Sequence, residues 1–60
     1  MKERRYIAFY DFGEFEFYSS HRANSKANIE DAMAHAKWHY GYKRSKQIQI
    51  KYTQRSFNEM

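Results

Sequence analysis

The chain has 60 residues, with eleven Lys plus Arg, seven Asp plus Glu, three His, a formal charge of +4, and neither cysteine nor proline. At this length it reads as one domain over 1–60, hiding only about 60% of the surface its unfolded form exposes, which leaves little room for an enclosed catalytic pocket. Lack of cysteine excludes disulfides and thiolate metal sites, so added support must come from a partner or a ligand, and a reducing, cytoplasmic setting is expected.

Charge interrupts every apolar run, so no membrane span is expected, and the amino terminus lacks the apolar core of a signal peptide. Aromatic residues make up 20% of the chain, as six Tyr, five Phe and one Trp. A core this small cannot hide all of those rings, so some must lie on the surface or in an interface.

The segment Arg5-Tyr6-Ile7-Ala8-Phe9-Tyr10 is rich in strand formers. Glu14-Phe15-Glu16-Phe17-Tyr18 alternates acid with aromatic, the pattern of a half-buried strand. Asp11, Phe12 and Gly13 between them make a turn, so the two segments form a hairpin. The polar stretch His21-Arg22-Ala23-Asn24 ends the second strand. Asn24 or Ser25 then caps a helix running to Tyr40, with Asn28 a later capping candidate and Gly41 the residue that stops it. Gln47 to Thr53 alternates again as a third strand, and 54–60 reads as a frayed tail.

The expected fold is therefore α+β, with the order ββαβ. A helix crossing one face brings strand three beside strand one, giving an antiparallel sheet ordered 2-1-3. Ile29, Ala32, Met33, Ala36 and Tyr40 form the helix stripe that meets the sheet. Its expected partners are Ile7, Phe9, Phe15, Phe17, Ile48, Ile50 and Tyr52.

Trp38 lies nine residues beyond Ile29, about 180° away from that stripe. With Ala34, His35 and Asp31 nearby, it suggests an outward patch on which another protein chain, or a second copy, packs. The opposite sheet face is expected to show Tyr6, Ala8 and Tyr10, flanked by Glu14, Glu16 and Tyr18. Tyrosine with mixed charge suits a protein partner, because the two glutamates repel phosphate. Basic residues gather as Lys2, Arg4 and Arg5 at the start and as Lys43, Arg44 and Lys46 before strand three. In the proposed topology these clusters fall at opposite ends of the sheet. They are the nucleic-acid surface in the alternative reading.

Chemistry-bearing motifs are sparse, and no cofactor is implied. His35 and His39 share a helical face at zinc-peptidase spacing, but the residue after His35 is Ala36 rather than the glutamate that chemistry needs, so no metal site is expected. Ser19, Ser20 and His21 have no evident orienting carboxylate, and Gly13 and Gly41 are too isolated to cradle phosphate. The chain reads as a non-enzyme. In size and style, with Ser19 to Asn28 its most distinctive stretch, it resembles the short cysteine-free accessory proteins of phages and other mobile elements. That resemblance implies a host protein or nucleic acid as partner.

Overall fold

Alternating aromatics on both sides of Asp11 and Phe12 fold back as a hairpin, and the aromatic sides of its two strands face one helix. The structure is a computed structural model that describes residues 3–56. It contains β1 (Arg4–Tyr10), β2 (Gly13–Ser19), α1 (Lys26–Tyr40), a short α2 (Tyr42–Ser45) and β3 (Ile50–Arg55). The sheet is antiparallel in the order β2-β1-β3, and α1 packs across β2 and β3, the α+β architecture expected. Within the described residues no helix is long and apolar enough to cross a membrane.

The helix begins and ends for local reasons. Ser25 Oγ accepts the Asn28 N–H at 3.2 Å, satisfying one of the donors a helix start leaves open. At the other end Gly41 takes φ +94°, a region that penalises other residues, and its N–H donates to the Lys37 carbonyl at 3.0 Å.

Facing of the central strand differs from the expectation. The turn holds two residues rather than three, so Tyr10 opposes Gly13, Ala8 opposes Phe15 and Tyr6 opposes Phe17. One residue of loop length reverses the face of every side chain on β1 relative to β2. Tyr6 and Ala8 therefore join Phe15 and Phe17 in the core, and Ile7 and Phe9 turn to the open face.

The third strand also differs. It starts at Ile50, leaving Gln47 in a turn and Ile48 buried ahead of the strand. A bulge lets Tyr10 pair with Ile50 while Phe9 pairs with Tyr52, so Lys51 is the extra residue. Ile50 thus packs on the core, whereas Tyr52 joins Phe9 on the other face. Gln54 and Arg55 belong to β3, and the Ser56 N–H donates to the Arg5 carbonyl at 3.0 Å, so the expected frayed tail does not begin at Gln54. Its remainder, 57–60, lies outside the described residues.

Tyr6, Ala8, Phe15, Phe17, Ala32, Ala36 and Ile48 make the core. Ala32 and Ala36 are small enough for α1 to approach the sheet's rings closely, so bulk comes from the sheet and space from the helix. Ile29, Met33 and Tyr40 of the expected stripe are half-buried at its margins.

Candidate functional site

The face of the sheet away from α1 carries Arg5, Ile7 and Phe9 on β1, Glu14, Glu16 and Tyr18 on β2, and Tyr52 and Gln54 on β3. Phe9 and Tyr52 stack with centroids 4.7 Å apart and planes 20° apart. Tyr18 and Tyr52 are 58% and 46% exposed. Charge on this face is nearly balanced. Arg5 reaches Glu16 at 3.5 Å, and Lys51 reaches Asp11 at 3.1 Å. Of the tyrosines expected here, only Tyr18 is present. Tyr6 is buried at 5% exposure, and Tyr10 is half-buried against the core. Phe9 and Tyr52 were hidden from sequence reading by the short turn and the bulge.

On the outer side of α1, Trp38 is 90% exposed, and Ala34, four residues earlier, is exposed as well. Asp31 and His35 instead turn toward β2. Asp31 Oδ2 accepts a 2.6 Å bond from Ser19 Oγ, and the His35 ring stacks on Phe15 at 5.5 Å. His35 also stacks on His39 at 5.7 Å. Burial, and secondarily the neighbouring His39, hold His35 below the ordinary imidazole value. Within the described residues no group of three or more His, Cys, Asp or Glu could hold a metal. Ser19 Oγ donates to Asp31, a carboxylate the sequence did not reveal beside it, and accepts from the backbone N–H of His21.

Two clefts lie at opposite ends of the sheet, and neither is lined by a carboxylate. One, of about 490 Å³, is lined by Lys43 and Arg44 together with Tyr10, Phe12 and Tyr40. Burial raises the Tyr40 phenol above its ordinary value, helped by the adjacent Tyr10 phenol and a hydrogen bond to it, and Arg44 acts in the opposite direction. The other, of about 520 Å³, gathers Arg4, Arg22 and Arg55 around Tyr6 and His21. The two basic clusters lie at opposite ends of the sheet, as expected, and each is further divided. Arg4 and Lys43–Arg44 occupy different clefts, Arg5 lies on the open sheet face, and Lys46 sits over the Tyr42 ring at 4.4 Å. Lys2 is outside the described residues.

The distinctive stretch from Ser19 to Asn28 is a clamp. Asn24 takes φ +66°, a left-handed conformation that asparagine tolerates, and lies along the outer edge of β3. Its N–H donates to Thr53 Oγ1 at 2.9 Å, and its Oδ1 accepts the Thr53 N–H at 2.7 Å. Asn28 Nδ2 donates to the His21 carbonyl at 3.1 Å. At Thr53 the edge is therefore already occupied, which leaves less of it for strand addition by a partner.

Comparison with known proteins adds no relative: no family model, no curated protein and no solved structure matches the chain.

Proposed function

We propose that this chain is a non-catalytic binding module acting through protein contact, in which the open sheet face meets a second copy of itself. The observation that supports this most is the Phe9–Tyr52 stack, continued by Ile7 and Tyr18, on the face opposite the helix. An apolar and aromatic centre with a mixed-charge margin is the make-up of a protein interface. Glu14 and Glu16 on the same face disfavour a phosphate backbone there. A role as a small accessory protein or inhibitor of the mobile-element kind is in keeping with this reading. Nucleic-acid binding, the alternative, is supported less, because its basic residues are dispersed over separate surfaces.

The charge arrangement supports self-contact. A two-fold axis along β1 sets β2 over the partner's β3, so Glu14 approaches the segment carrying Lys51 and Tyr52, while Phe9 and Ile7 meet their own copies. An axis across the strands would oppose the two glutamate columns instead. Three strands about 4.8 Å apart, with about six residues each at about 3.3 Å, give a footprint of roughly 300 Å². A stable interface typically covers about 800 Å² per partner, so the dimer is weak and concentration-dependent.

Sedimentation velocity from micromolar to millimolar protein tests this. The mass is expected to rise toward a dimer at the upper end, and Tyr52→Glu, which places like charges across the axis, should hold the chain monomeric with its circular dichroism intact. A monomer throughout the range overturns the reading. So does an unaltered dimer in the Tyr52→Glu variant.

A further inference from the structure

We propose that the cleft formed by the start of β1, the 20–23 loop and the end of β3 binds a terminal phosphate ester. Three arginines, Arg4, Arg22 and Arg55, are among its lining residues, and within the described residues none has a carboxylate partner. Like charges brought together on a folded surface repel one another, and an external anion relieves that repulsion. Arg55 Nε is buried and has no hydrogen-bond acceptor among the described residues. A buried donor left unmet is costly, and a turn of the Arg55 side chain toward the cleft would bring it to the oxygen of a bound anion.

The cleft is also built on fixed backbone. The Arg22 carbonyl accepts from Ser25 N–H at 3.1 Å and from Ser25 Oγ at 2.7 Å, while the His21 carbonyl accepts from Asn28. Arg55 is held in register opposite Tyr6. The cations are therefore supported by ordered elements rather than by a free tail.

Charge and size select the ligand class. A carboxylate carries one charge and is matched by one guanidinium fork, whereas a phosphate monoester carries about −1.5 to −2 and offers three oxygens to several forks. The cleft's volume of about 520 Å³ exceeds what a bare ion needs and leaves room for an organic group beside Tyr6 and His21. The site lies away from the open sheet face, so it stands or falls independently of the dimer.

Calorimetry on the full chain at physiological salt, with AMP and adenosine as probes, tests the assignment. AMP is expected to bind and adenosine not to, and Arg22→Gln, in an exposed loop, should weaken AMP roughly tenfold or more without unfolding the chain. Arg55→Gln should do the same, whereas a Lys43→Gln, Arg44→Gln double variant should bind AMP as the parent does. A short oligonucleotide bound only when 5′-phosphorylated identifies strand ends as a source of the ester; rejection of both oligonucleotides while AMP binds identifies a free small ester. Equal binding of AMP and adenosine, no AMP binding, or full AMP affinity in Arg22→Gln overturns the proposal. Equal affinity for phosphorylated and unphosphorylated oligonucleotides overturns it as well, because the attraction is then to the strand backbone.

Discussion

Thr53 Oγ1 donates a 2.6 Å hydrogen bond to Asn28 Oδ1, and the two residues are 1% and 0% exposed. One hydroxyl thereby ties the last strand to the first turn of the helix across the interior of the domain. The same oxygen accepts the Asn24 N–H, so the loop, helix and strand converge on a single side chain. Low local dielectric makes such a network strong when complete and costly when broken.

Thr53→Val keeps the shape but removes the hydroxyl. It leaves the buried Asn28 Oδ1 without its partner, at about 1–3 kcal/mol, and removes the acceptor of the part-buried Asn24 N–H as well. A domain of this size has a total stability of only about 3–9 kcal/mol, so this loss is a large share. Urea unfolding should show a drop of about 2–4 kcal/mol for Thr53→Val, with Thr53→Ser retaining most of the parent stability. A valine variant that unfolds at the parent's midpoint would mean the network contributes no net stability.

Ala32 has no exposed surface and lies in the same cluster as the core rings. Ala32→Leu inserts methylenes where there is no space and should cost about 1–3 kcal/mol through displacement of α1. Ala34→Leu, on the exposed side, has room and should change stability by less than about 0.5 kcal/mol. Thermal melts of the pair check this; equal melting temperatures would show that the helix shifts outward without penalty.

How much of this was readable in advance depended on the range of each signal. The hairpin, the Ser25 cap and the Gly41 stop are local, and the strand order follows from crossing rules, so all were legible. The facing of β1 was not, because it turned on whether Gly13 belonged to the turn or to the strand. Tyr52 was misplaced for a related reason: a bulge at Lys51 breaks the alternation that the sequence displays. Arg4, Arg22 and Arg55 come together from three separate segments. The ββαβ order already sets Arg22 at the end of the sheet where strand one begins, but Arg55 falls in the stretch that reads as a frayed tail and belongs to β3 instead. Asn28 looked like a cap candidate and Thr53 like an ordinary strand residue; only the fold brings them into contact.

The His35 ring gives the domain a pH response. Its folded value lies below the ordinary 6.5, chiefly because of burial and then because of His39. Above pH 6.5 the ring is neutral whether folded or unfolded, and the contribution to stability is fully present. As pH falls below 6.5 the unfolded chain takes up the proton first, so stability declines until the pH has passed the lowered folded value. The melting temperature should therefore fall between pH 7.5 and 5.5, and His35→Gln should flatten that slope. An identical slope in the variant would assign the acid sensitivity to other groups.

Trp38 is the single tryptophan, which makes it a probe of its own surroundings. At 90% exposure it contributes little to the core, so Trp38→Ala should change stability by less than about 0.5 kcal/mol. The sequence pointed to this ring as the centre of an interface, yet two of its expected neighbours, Asp31 and His35, are engaged with β2 instead. The patch is thus smaller than the helical phase suggested, while the open face on the far side of the sheet carries Ile7, Phe9, Tyr18 and Tyr52. If the sheet face is where two copies meet, Trp38 stays in water in both monomer and dimer. Its emission should keep the red-shifted maximum of a hydrated indole, and its access to iodide quenching should not change, over the same concentrations at which the sedimentation coefficient rises. A blue shift that tracks association would place the contact on α1, and the sheet-face dimer would then be the wrong arrangement.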